Sequence, residues 1–161
     1  MIRNFLQTTW SAVTIATAIV GMPAVAAASD VTEYIAEAPF EDVRQDLGDA
    51  VINRGYKIDY EAYIGEMLER TSADVGGKKE IYKNAEFIQF CSAVLSRAAM
   101  EADPANIAYC PYVLFAYELA DEPGKVHVGF RRLDERGSEA SKAALAKVNA
   151  LLDEIAREAT E

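Results

Sequence analysis

With 161 residues, a formal charge of −10, two cysteines and one histidine, the chain is sized for one domain and ill suited to nucleic acid or anionic lipid, whose phosphates call for clustered Lys and Arg. The pairs Lys78-Lys79 and Arg131-Arg132 are too small to reverse that balance. Two Cys and one His also fall short of the roughly four ligands of a structural zinc site.

Residues 1–28 combine Arg3, an apolar run over 5–20 and the small-residue close Ala24-Val25-Ala26-Ala27-Ala28, the pattern of a cleaved secretory signal. Gln7, Thr8, Thr9 and Ser11 interrupt the run, which is shorter than the ~20 apolar residues of a spanning helix. The expected product is exported to the periplasm, with no membrane span after cleavage.

Beyond the signal, residues 31–37 read as a first strand that Pro39 ends. Residues 40–54 put Phe40, Val43, Leu47, Ala50 and Val51 on one helical stripe, with Glu41 and Asp42 in the first turn and Gly55 as terminator. A strand over 56–60 and a short helix over 61–73, built on Ile64, Met67 and Leu68, come next. Gly76-Gly77 breaks the chain before a strand over 80–91. Residues 93–102 are helical, and Asp103-Pro104 stops them. Residues 109–119 form a long apolar strand, and Glu122-Pro123-Gly124 turns it into a hairpin with 125–132. Residues 138–160 make an amphipathic helix on Ala144, Val148, Leu151, Leu152 and Ile155. The expected fold is α+β: a two-layer domain over 29–136, with a mixed sheet packed against helices, and a C-terminal amphipathic helix over 137–161.

The segments FEDVRQDLGDAVINRGYKI, FIQFC, MEADPANI, CPYVLFAYEL and EPGKVHVGFRR resemble the family called domain of unknown function 302, from about residue 40 to 131. The CPY strand joined to the EPGKV hairpin is the most distinctive part, and the tail after Arg132 lies outside the resemblance. The resemblance implies a small two-layer α+β domain that tends to form homodimers, with haem, thought to be bound by some relatives, as an alternative ligand. It supplies no catalytic residues.

Cys91 and Cys110 are the only thiols, and in an oxidising compartment a structural disulfide is their simplest use. If the helix after Cys91 crosses over to a parallel strand, the two lie a strand length apart, ~17 Å or more, against the ~6 Å a disulfide allows between Cα atoms. The bond forms only if 103–109 leads the chain back before the next strand. C-x-x-C and C-x-x-C-H are absent, which removes the usual redox pair and c-type haem attachment. Non-covalent haem remains, with Cys110 or His127 as axial ligand; Pro111 equally opens an edge strand.

In Val126-His127-Val128-Gly129-Phe130 the two valines and Phe130 share one face and His127 shares the other with Gly129. The valine face reads as core, so His127 points to solvent, a dimer surface or a pocket. Tyr109, Tyr112, Tyr117 and Phe115 are candidates to line that pocket or to fill the core. No serine sits in G-x-S-x-G, and Gly76-Gly77-Lys78-Lys79 misses the phosphate-loop pattern. Glu61, Glu66 and Glu69 read as an acidic helix face. The preferred reading is a non-enzymatic ligand-binding or accessory domain with Cys91, Cys110, Tyr112 and His127 as candidate site residues; the alternative is a haem or thiol-redox protein using His127 or the cysteines.

Overall fold

The computed structural model describes residues 30–161, so the signal-like segment 1–28 lies outside the described residues. Strands β1 (Val31–Ala36), β2 (Ile58–Tyr63), β3 (Tyr82–Phe90), β4 (Tyr112–Leu119) and β5 (Val126–Arg131) interleave with helices α1 (Phe40–Asn53), α2 (Ile64–Thr71), α3 (Ala93–Ala102) and α4 (Glu139–Glu158). A short 3-10 helix spans Pro104–Tyr109. The strands form one sheet in the order β1-β5-β4-β3-β2, antiparallel at every pairing. The α+β class holds, while the sheet is antiparallel throughout where a mixed one was expected.

The reason lies between β3 and β4. Ser92 caps α3, its hydroxyl accepting from Leu95 N, and Asp103 ends it by capping the 3-10 helix, with its carboxylate accepting from Ala105 N at 2.9 Å. Asn106 then anchors the returning chain, its buried amide donating to Ala99 O at 2.8 Å and to Ser141 Oγ at 2.9 Å. The chain therefore comes back to the end of the sheet it left, and Tyr112 pairs with Phe90. Cys91 and Cys110 meet there, joined as a disulfide with Cα atoms 6.4 Å apart; the crossover that would have parted them does not occur.

One face of the sheet carries the core. Ile88 and Phe90 of β3, Leu114 and Ala116 of β4, and Val126, Val128 and Phe130 of β5 pack with α1 and α4. The α1 stripe of Phe40, Val43, Leu47, Ala50 and Val51 is buried as its 3.6 period requires. In α4, Leu145, Val148, Leu152 and Ile155 are completely enclosed. Helix α2 behaves differently. It lies against β3 so closely that a Cβ on Gly65 would sit 3.0 Å from Ala85 N, yet it buries none of its residues. It also starts later than expected, because Glu61 to Tyr63 extend β2 by pairing with β3.

Candidate functional site

Strand alternation decides what the other sheet face presents. With Val126, Val128 and Phe130 turned into the core, His127 and Gly129 must face the side away from α1 and α4. The β4–β5 register sets Tyr117 opposite His127 and Phe115 opposite Gly129. The β1–β5 register sets Glu33 opposite Gly129 on the other flank, and the β3–β4 register adds Ala85 and Phe87.

These residues form a connected polar and aromatic cluster. The His127 and Tyr117 rings stack with centroids 4.5 Å apart and planes 3° from parallel. Glu33 bridges them: Oε1 lies 3.1 Å from His127 Nδ1, and Oε2 accepts from the Tyr117 hydroxyl at 2.8 Å. A carboxylate can only accept, so Nδ1 carries the proton. His127 Nε2 is buried and has no hydrogen-bond partner among the described residues. Burial, then donation to the Glu33 carboxylate, raises the pKa of the Tyr117 hydroxyl above its ordinary value. Gly129 makes the assembly possible, because a Cβ there would overlap Thr32 O and come within 2.6 Å of Phe115 Cζ.

Beside this cluster is a pocket of about 370 Å³ whose lining includes Val31, Glu33, Tyr82, Phe87, Phe115 and Tyr117. Tyr82 and Tyr117 meet edge to face at 5.4 Å, and Phe115 stacks on Tyr117 at 6.0 Å. Glu86 also reaches the lining, but its carboxylate is held by Arg44 Nε at 2.8 Å. The same guanidinium takes Glu61 at 3.0 Å, so Glu61 is ion-paired to α1 and does not stand free on an acidic face.

The remaining sequence candidates lie elsewhere. Cys91 and Cys110 are bonded to each other, with Ser96 Oγ 3.6 Å from Cys110 Sγ and 2.9 Å from the Tyr112 hydroxyl. Tyr112 is 3 % exposed and packs edge to face on Phe90 at 5.7 Å, which makes it a core side chain; burial is the main cause of its raised pKa. The Cys110-Pro111 bond is cis. Tyr109 stands apart from both groups, its hydroxyl donating to Asp134 O at 3.3 Å. Three candidates thus meet at one end of the helix-covered face, and His127 sits on the opposite face. A haem does not fit these residues as they stand: both sulfurs are engaged with each other, and the free nitrogen of His127 is enclosed. Among the described residues no cluster of three or more His, Cys, Asp or Glu could hold a metal ion, and no helix is long and apolar enough to cross a membrane.

Sequence reasoning missed Glu33, Tyr82 and Phe87. The alternation of β1 put Glu33 beside Val31 and Ile35 on one face, but its partner His127 lies 94 positions away, and only the sheet order joins them.

Comparison with known proteins agrees with this architecture. No curated protein matches the chain. A solved structure described as an uncharacterized conserved protein DUF302 from Bacillus stearothermophilus is similar in fold, with a TM-score of 0.68 at 12 % identity, covering 82 % of this chain and 99 % of that one. The model of the family described as domain of unknown function DUF302 matches residues 31–159. That match runs past the 40–131 resemblance at both ends and takes in β1 and α4. The chain therefore belongs to the DUF302 family.

Proposed function

We propose that the chain is an exported, non-enzymatic binding domain that holds a small ligand in the aromatic pocket on the sheet face away from α1 and α4. The observation that carries the reading is the pocket itself: aromatic walls of Tyr82, Phe87, Phe115 and Tyr117, with Ile64 of α2 at its edge, on the face away from α1 and α4 and next to a cluster with an unsatisfied buried nitrogen. Ligand sites characteristically combine such apolar walls with a few fixed polar groups. Export is supported by the signal-like composition of 1–28.

Titration with the neutral apolar dye Nile red tests it. A saturable, blue-shifted emission that Phe115→Ala abolishes, with far-ultraviolet circular dichroism unchanged, is the expected result. Absence of saturable binding overturns the reading. Two rival outcomes are measured alongside. A Soret band with added haemin that disappears in His127→Ala would make the protein a haem binder. A dimer by light scattering that Ile35→Lys dissociates, in a protein that binds no dye, would make this face a contact between copies; Val31 and Ile35, 43 % and 54 % exposed, lie on it.

A further inference from the structure

We infer that the pocket on the open sheet face selects an organic cation, a small alkylammonium or quaternary ammonium group. The inference rests on the binding reading above and names its ligand class. Two features of the lining point to it. The first is the arrangement of rings. Tyr82 and Tyr117 have planes 64° apart, so they form adjoining walls and not one flat stack, and Phe115 and Phe87 extend the lining. Aromatic faces carry negative potential, and a cation enclosed by several of them is attracted without needing a hydrogen bond.

The second feature is the charge. Glu33 lines the pocket, and its two oxygens are taken up by the Tyr117 hydroxyl and His127 Nδ1. The first is a neutral donor. The second belongs to a ring whose other nitrogen is buried without a hydrogen-bond partner among the described residues. Among the described residues no Lys or Arg pairs with Glu33. Glu86, the other acid in the lining, is already matched by Arg44 from the helix side. Among the described residues no Lys or Arg lines the pocket, and the chain as a whole carries −10. An anionic ligand would have to approach a carboxylate that no Lys or Arg offsets, and a neutral one would leave it so. An ammonium group answers both the rings and the charge. Gly129 contributes by position: with no Cβ, it lets Phe115 and the β1 backbone at Glu33 close in from both flanks.

Choline and its neutral isostere 3,3-dimethylbutan-1-ol differ in one charge at nearly constant shape, which makes them the probes of choice. Calorimetric titration, with ring-proton shifts of the tyrosines and phenylalanines as a second readout, should show choline binding at least about ten-fold more tightly than the alcohol. Glu33→Gln should weaken choline binding several-fold and leave the alcohol unchanged, and added salt should act in the same direction as the variant. Equal binding of the two probes, or choline affinity indifferent to Glu33→Gln, overturns the cation assignment while leaving the pocket reading in place. If neither probe nor Nile red binds, both fall. The comparison of the two probes on the unsubstituted protein holds even if the variant proves unstable.

Discussion

Glu118 belongs to the face of β4 that also carries Leu114 and Ala116, and it is 3 % exposed. A carboxylate can stay charged there only if its lone pairs are met. Lys83 Nζ lies 3.0 Å from Oε1, Asn84 Nδ2 donates to Oε2 at 2.9 Å, and Gly124 N donates to Oε1 at 2.7 Å. Burial pushes its pKa up, but these donors outweigh burial and the net pKa is below the ordinary Glu value. One side chain thereby ties β3 to the β4–β5 turn. Glu118→Gln should lower stability by about 2 kcal/mol, within the range for hydrogen bonds to a charged group, with the exposed Lys83 contributing least. The sign of the pH dependence follows from the depressed pKa: the stabilisation is fully present above the unfolded-state value of roughly 4.3 and is lost as pH falls through the lower folded-state value. Urea unfolding at neutral and acidic pH should show the gap between the two proteins closing on acidification; a gap constant with pH would exclude the ionised clasp. Gly129 makes a second case. Adding a methyl group forces either the β1 backbone at Thr32 or the Phe115 ring to move. Gly129→Ala should cost about 1–3 kcal/mol, as overpacking does, and should also weaken ligand binding because Phe115 lines the pocket. Melting temperature and dye affinity measured on the same sample check both effects.

At the level of elements, the disulfide closes the segment formed by α3 and the 3-10 helix, a sequence separation of 19. On the chain-entropy account, cross-linking a loop of that length stabilises by about 3 kcal/mol. Protein treated with a phosphine reductant should unfold at correspondingly lower urea, and the double variant Cys91→Ser, Cys110→Ser should match the reduced protein and no longer respond to reductant. Two reactive thiols in untreated, denatured protein would contradict the bond. The same segment marks the limit of what the sequence discloses. Helix α3 was legible to the residue from its composition and from the Asp103-Pro104 pair, a local signal that acts on its own neighbours; its Ser92 cap went unread. The buried stripe of α1, and that of α4 apart from half-buried Leu151 and the unnamed Leu145 and Ala156, were legible because a 3.6 period is written in adjacent turns. Strand partners are not written locally. The return of the chain that makes β3 and β4 antiparallel is held by contacts distant in sequence, among them Asn106 to Ser141 on α4, and β1 closes the sheet by pairing with β5 from Val31–Arg131 to Ala36–Val126. The candidate site divides along the same line. The face of His127 followed from alternation in β5 alone. Tyr112 and Tyr117 could not be told apart, since β4 is apolar on both faces and only packing against α1 and α4 shows which one is core. Helix α2 had a convincing apolar stripe and fully buries none of it, although its Gly65 lies close against Ala85 of β3.

For the molecule as a whole, the C-terminal helix supplies much of the core that covers the sheet. The resemblance stopped at Arg132, yet α4 encloses Leu145, Val148, Leu152, Ile155 and Ala156 completely. At about 1.5–3 kcal/mol for each large apolar side chain removed from water, the four larger residues contribute on the order of 6–12 kcal/mol, comparable to the whole net stability of a domain. The polar contacts along the helix reinforce this docking. Buried Asn149 takes both backbone groups of Leu133, accepting from its N at 2.8 Å and donating to its O at 2.9 Å. Ser141 receives Asn106 from the segment that reverses the chain, and Arg54 at the end of α1 pairs with Glu158 at 2.6 Å. Removing the helix would expose Val126, Val128 and Phe130 of the sheet, strip Leu133 of both its bonds to Asn149 and leave Asn106 with Ala99 alone. A chain ending at Gly137 should therefore show no cooperative thermal transition and no near-ultraviolet circular dichroism. Adding a separate peptide of residues 138–161 should restore both in a concentration-dependent way, since the missing contacts are non-covalent and the peptide already carries its Ser138 cap. A truncated chain that melts cooperatively by itself would show that the sheet and α1 are sufficient, and α4 would then be an appendage to the domain and not part of its core.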